Sequence, residues 1–271
     1  MTFEKLSEEI GLKIYAKRFR EQCKIQFDDI QNGGRMLDLI ERRLNLHSFT
    51  DLIHLNKPFR AREDMRQSIN ISLGYLTENT ASLFIEDISK IIKDIELMGT
   101  KIVTKKRISF RLFNLHLDVQ PYKIGNCTYL YESKNNVEMD KDKTHIVNTR
   151  TKKIGTSCTE LDNMFVDDLN EVKSLHIIWS QPTGERAWKF SKKKHISQSS
   201  IHGVCDFFSQ FINITPDFFE KYKNLVTKIV DEEIFTYIPC DDFPLDAEAF
   251  KQYLERKKTN QSSLEGLNEE K

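Results

Sequence analysis

Ile108-Ser109-Phe110-Arg111-Leu112-Phe113-Asn114-Leu115-His116-Leu117-Asp118-Val119 is the stretch on which the fold class turns. Side chains alternate faces along a strand, so apolar residues two apart share a face. Phe110 and Leu112 take one parity; Phe113, Leu115, Leu117 and Val119 take the other. The alternation predicts β-structure, and the parity switch predicts a bulge or burial on both faces. Pro121 ends the run.

The hundred residues before it follow a different period. From Leu12 the apolar positions Tyr15, Phe19, Cys23, Phe27 and Ile30 recur at helical spacing, giving one apolar stripe. Asn32-Gly33-Gly34 breaks that helix. A second helix fits residues 35–46, and Ser48 or Thr50 can cap a short turn ahead of Pro58. Residues 62–76 form a further pattern, and Thr80 predicts a cap for another helix over 81–98, with Gly99 as its stop. The expectation for 1–99 is a helical bundle.

The remainder is mixed. Cys127-Thr128-Tyr129-Leu130-Tyr131 reads as a strand, residues 134–143 as an exposed loop, and 145–147 as a short strand. Residues 158–171 are ambiguous, with Thr159 a possible cap. Residues 174–179 and 186–190 flank Gln181-Pro182-Thr183-Gly184 and predict a hairpin. Residues 197–212 read as helix, with Val204, Phe207, Phe208 and Phe211 inward. Thr215-Pro216-Asp217 opens another that runs to about residue 230, since it combines a capping hydroxyl, a first-turn proline and an early acid. Asp246 caps a last helix. The predicted fold is α+β: a helical bundle over 1–99, a small, mostly antiparallel central sheet with C-terminal helices over 100–258, and a disordered tail over 259–271.

The 271 residues hold 41 basic and 41 acidic side chains. The 18 Phe, 8 Tyr and 2 Trp supply enough apolar mass for a core and exclude wholesale disorder. The zero net charge is a sum of unlike parts: +3 over 1–107, +3 over 108–204 and −6 over 205–271. Positive charge concentrates at Lys101, Lys105, Lys106, Arg107 and Arg111, and again at Arg186, Lys189, Lys192, Lys193 and Lys194, interleaved with Trp179, Trp188 and Phe190. Lysine and arginine neutralise phosphates, and adjacent aromatics stack on unpaired bases. This pattern points to single-stranded RNA or another polyanion, contacted by Lys105, Lys106, Arg107, Arg111, Arg186, Trp188, Lys189, Lys192, Lys193 and Lys194.

Catalytic motifs are sparse. The chain has no G-x-x-x-x-G-K-[ST], no G-x-G-x-x-G and no G-x-S-x-G. Its seven histidines include no pair at H-E-x-x-H spacing, and only one H-x-S element, at His195. The five cysteines lack C-x-x-C spacing and read as buried thiols. Metal-dependent nuclease chemistry needs clustered carboxylates, often with a lysine. Asp162, Asp167, Asp168, Glu171 and Lys173 offer such a cluster, and Glu171-Val172-Lys173 matches E-x-K. In nucleases that element lies on a buried strand after a hairpin carrying an aspartate; here it falls at a strand entrance.

The leading expectation is therefore a non-enzymatic intracellular binding or assembly protein, of the kind a virus uses as nucleoprotein, matrix, movement or accessory protein. Its partners would be RNA, a protein or a second copy, and it would need no cofactor and no metal. The runner-up is a nuclease built on Asp162, Asp168, Glu171 and Lys173, and the third reading is a protein scaffold. The acidic N-terminus lacks the basic start and apolar run of a signal peptide, and no apolar run reaches membrane-spanning length. The cytoplasm or nucleus is the expected location.

Overall fold

A computed structural model describes residues 4–31, 57–112, 115–134, 171–190 and 201–235. The chain divides into two compact units, Met1–Gln22 with Leu73–Ile229 and Cys23–Ser72 with Val230–Lys271. In the second unit Cys23, Gln26 and Phe27 are buried; all contacts described below belong to the first.

The elements run β1 (Leu6–Ser7), α1 (Glu8–Gln31), α2 (Lys57–Ile91), β2 (Ile95–Leu97), β3 (Thr100–Val103), β4 (Ile108–Leu112), β5 (Leu115–Leu117), β6 (Tyr122–Ile124) and β7 (Cys127–Lys134). Then follow β8 (Glu171–Ile178), α3 (Gly184–Phe190), β9 (Ile201–Gly203), α4 (Val204–Phe208), β10 (Ile212–Asn213), α5 (Phe218–Val230) and a π-helical turn over Asp231–Phe235. The fold is α+β. A five-stranded sheet has the order β2-β6-β7-β8-β9, antiparallel through β7 and parallel beyond it. β3, β4 and β5 form an antiparallel meander, and β1 pairs with β10 in parallel. Among the described residues no helix is long and apolar enough to cross a membrane, and there is no disulfide at Cys23, Cys127 or Cys205.

The stretch 108–119 is a chain reversal. Leu112 pairs with Leu115 and Phe110 with Leu117, so the parity switch separates two antiparallel strands and is not a bulge. Phe110, Leu112, Leu117 and Leu130 pack together, with Met98, Ile108 and Val172 against them. The meander thus covers the face of β7 that carries Leu130.

Thr80 is not a cap. It is fully buried inside α2, whose buried positions Leu76, Ala81, Phe84, Ile85 and Ile88 run on without a phase break. The hydroxyls of Thr77 and Ser82 donate back to the carbonyls of Gly74 and Glu78, so polar side chains within a helix satisfy themselves on its own backbone. α2 ends before Gly99, and residues 95–97 of the predicted helix are strand β2. Gly99, at φ 77°, instead makes the turn between β2 and β3, where a Cβ would stand 2.9 Å from the Arg111 carbonyl.

The predicted hairpin across Gln181–Gly184 is also corrected. β8 pairs in parallel with β7 and β9, and residues 184–190 are helix α3. Thr183 acts as its N-cap, its Oγ1 accepting from the Arg186 amide at 3.3 Å and its carbonyl accepting from the Ala187 amide at 3.0 Å. Ala187 and Trp188 pack against Ile178 and Ile201. The predicted helix over 197–212 resolves, from residue 201 on, into β9, α4 and β10, although Val204, Phe207, Phe208 and Phe211 are buried as expected. α5 follows the Thr215-Pro216-Asp217 start, with the Phe218 amide donating to the Thr215 carbonyl. The predicted elements over 35–46, 145–147, 158–170 and after 246, and the tail from 259, lie outside the described residues.

The other face of the five-stranded sheet is aromatic. Tyr122, Tyr129 and Tyr131 stack along β6 and β7, and Phe207 meets Tyr131 edge-on. Tyr15 of α1 packs on Phe84, Trp179, Phe208 and Tyr222. Buried aromatics at these spacings supply large apolar areas plus edge-to-face attraction.

Candidate active site

Glu132 and Lys134 stand two apart on β7, so both point to the face that the meander covers. Ser133 between them points to the opposite face, where its Oγ accepts from the Trp179 indole nitrogen at 2.9 Å. That buried hydrogen bond fixes the alternation at the end of the strand. The end in question is the carboxyl end of a strand in parallel pairing with β8, the usual place for ligands in such sheets. The register sets buried His176 of β8 beside Glu132.

Two other segments bring carboxylates to this point. Asp118 follows β5, and Glu78 projects from α2. The Glu132 charge acts on Asp118, and the Lys134 ammonium donates to Glu132 Oε1 at 3.1 Å. Arg107, just before β4, donates from Nη2 to Asp118 Oδ1 at 2.8 Å, and its Nε lies 3.8 Å from Glu78 Oε2. The guanidinium also sits over the Tyr75 ring, 5.4 Å from its centre. Asn79, next to Glu78, braces the β3–β4 turn by donating to the Lys106 carbonyl and accepting from the Ile108 amide, both at 2.9 Å.

The electrostatics are those of crowded acids. Burial pushes Glu78 up, the Asp118 charge adds to the rise, and Arg107 opposes it. Burial likewise pushes Asp118 up, reinforced by the Glu132 charge and opposed by Lys134 and Arg107. Three carboxylates against two cations leave this point one negative charge in excess when all are ionised. Glu78 Oε2 and Arg107 Nε are both buried without a hydrogen-bond partner, so Glu78 joins the cluster through charge alone. Among the described residues no set of three His, Cys, Asp or Glu side chains is gathered as a ready metal-binding group.

The residues singled out from sequence fall in several places. Arg107 enters the acidic cluster. Lys105 and Arg111 are exposed on the same hairpin, with Arg111 between Thr100 and His116 in register; Lys106 is half-buried. Arg186 and Lys189 are exposed on α3, and Lys189 pairs with Glu185 at 2.6 Å. Trp188 is half-buried against the Ile178–Ile201 cluster. Glu171 begins β8, and the Lys173 ammonium lies over the Tyr129 ring at 5.6 Å, on the aromatic face of the sheet and away from Glu132. Asp162, Asp167, Asp168, Lys192, Lys193 and Lys194 lie outside the described residues.

Sequence reading missed Glu78, Asp118, Glu132 and Lys134. The signal was present: Glu132-Ser133-Lys134 is itself an E-x-K element, and it follows Asp118 on a β-rich stretch. The chain matches no protein-family model, no curated protein and no solved structure in comparison with each.

Proposed function

We propose that the protein is a metal-dependent nuclease whose active site is Asp118, Glu132 and Lys134, with Glu78 as a further carboxylate. The observation that carries this reading is the convergence of an aspartate after a hairpin, a Glu-x-Lys pair on the adjoining buried strand and a helix glutamate. Clustered carboxylates hold Mg²⁺ or Mn²⁺ through oxygen. A cation held there would lower the pKa of a bound water and offset charge on a phosphoryl oxygen. Asp118 and Glu132 are the residues that would hold it. Lys134, whose ammonium lies 3.1 Å from Glu132 Oε1, would orient the attacking water and offset charge on the phosphate. Water would add to phosphorus as the bond to the leaving sugar oxygen breaks, the water giving up one proton and the leaving oxygen taking one up. Exposed Lys105 and Arg111, on the hairpin that carries Arg107, supply phosphate contacts for a single-stranded substrate.

End-labelled single-stranded RNA and DNA, incubated with the protein in Mg²⁺ or Mn²⁺, provide the test. Metal-dependent cleavage is expected, lost by at least about a hundred-fold in Glu132→Gln and Lys134→Ala. Glu171→Ala should retain it, which separates this site from the 162–173 acids. No cleavage of either polymer with either ion, or full activity in both variants, sinks the reading. Charge reversal at Lys105 and Arg111 should weaken RNA binding and flatten its salt dependence.

A further inference from the structure

We infer that the outer face of the β3–β5 meander is a binding face for single-stranded RNA, with Arg111 and His116 as a stacking pair and Lys105 as a phosphate contact. Lys105 and Arg111 touch phosphate in the nuclease reading as well. The face goes beyond that role, because it holds RNA whether or not the strand is cut.

Strand alternation gives the meander two unlike faces. Ile108, Phe110 and Leu112 of β4 and Leu117 of β5 lie on the face that packs against Leu130 of β7. The opposite parity belongs to solvent. Thr100, Arg111 and His116 form one row across the three strands, and all three are exposed. Ile102 and Ser109 form the next row, half-buried, and Lys105 is exposed in the turn between β3 and β4.

Charge on this hairpin divides by position. Lys101, opposite Phe110 in register, donates to Glu86 at 2.9 Å, and Arg107 donates to Asp118 at 2.8 Å. Both are neutralised within the fold. Lys105 and Arg111 have no ion-pair partner among the described residues, and the rows beside Arg111 carry no carboxylate. A face that only solvates a sheet mixes both signs. This one sets cations, hydroxyls and an imidazole together with no acid to oppose them. A polyanion supplies the missing charge and releases its counterions on binding.

The pairing of Arg111 with His116 favours a single strand. Residues directly opposite on antiparallel strands have Cβ atoms about 5 Å apart. Guanidinium and imidazole planes both stack on unpaired bases, whereas a duplex keeps its bases stacked on each other. The Thr100 and Ser109 hydroxyls make no side-chain hydrogen bond among the described residues. They both donate and accept, which matches the ribose 2′-OH that RNA has and DNA lacks.

Fluorescence anisotropy of labelled single-stranded RNA, titrated with the full chain in EDTA, tests the face without metal-dependent cleavage. The wild type should bind it more tightly than DNA of the same sequence or the corresponding RNA duplex. Arg111→Ala should weaken binding about ten-fold and reduce the slope of log K against log salt by about 0.7, the single-strand value for one cation. Arg111→Lys should keep the slope. His116→Ala should cost about ten-fold through lost stacking, and His116→Phe should restore it. Arg186→Ala removes an equal charge from α3 and should leave binding unchanged. No RNA binding, equal affinity for DNA or duplex, wild-type affinity in Arg111→Ala or His116→Ala, no rescue by His116→Phe, or an equal loss in Arg186→Ala each overturns the face. RNA binding in EDTA with no cleavage in Mg²⁺ or Mn²⁺ sinks the nuclease reading and leaves the face standing. Cleavage that is indifferent to Arg111 and His116, with binding equally indifferent, does the reverse.

Discussion

Tyr131 shows what one buried hydroxyl does here. It meets His202 Nδ1 at 2.8 Å and accepts from Gln210 Nε2 at 2.6 Å, while Gln210 Oε1 accepts from the Tyr122 hydroxyl at 2.9 Å. Burial holds the Tyr131 phenol far above its ordinary range, so it stays neutral at any physiological pH. Tyr131→Phe keeps the ring stack and removes only the oxygen. The partners are then left short of a hydrogen bond in a dry site, at about 1–3 kcal/mol. Denaturant unfolding should show that loss with an unchanged slope. The neighbouring Glu132 and Lys134 were legible from the same strand alternation, since any strand from 127 onward sends positions 132 and 134 to one face. Their meeting with Asp118 and Glu78 was not, because those side chains arrive from segments 14 and 54 residues upstream of Glu132.

At the scale of elements, the decisive feature is backbone contact between β9 and the start of α3. The Asp206 carboxylate accepts from the amides of both Gly184 and Gly203, at 2.6 and 2.8 Å. A Cβ on Gly203 would meet the Thr183 amide nitrogen at 2.4 Å, with no flexible side chain to yield. Gly203→Ala should therefore lower stability toward the upper end of about 1–3 kcal/mol, read as a fall in Tm. This contact explains why α3 is misread from sequence. Pro-Thr-Gly between two apolar runs has the composition of a hairpin turn, and nothing local says that Thr183 caps a helix instead. That choice is made by parallel pairing of β8 with β9, which leaves no antiparallel place beside β8 for residues 186–190.

At the scale of the molecule, acid stability follows from groups the fold holds away from their ordinary values. Burial lowers the His202 pKa, with Asp206 opposing. A histidine depressed on folding contributes stability that is present above its unfolded pKa, near 6.5, and is lost as pH falls toward the folded value. A second loss comes at lower pH. Arg18 donates to both Asp87 oxygens at 2.6 and 2.8 Å, and that bidentate bond lowers the Asp87 pKa. Its contribution is present above the unfolded aspartate pKa, 3.8, and disappears as pH falls through the folded one. Glu78 and Asp118, held above their ordinary values, act in the opposite sense and favour the fold as pH falls. Comparison of denaturant midpoints from pH 8 to pH 3 should therefore show the first loss removed in His202→Gln and the second in Asp87→Asn, each relative to wild type. By itself the sequence determined the periodicities: the stripe through Tyr15 and Phe19, the inward Phe207, Phe208 and Phe211, the strand at Cys127, the α5 start and the α+β class. These are local because side-chain direction repeats with the backbone's own period. Tertiary structure decided the reversal at Leu112, the helical identity of residues 184–190, and the gathering of Glu78, Arg107, Asp118, Glu132 and Lys134. Those depend on which strands pair and in which direction, a choice made by the summed packing of distant segments and written in no single stretch of chain.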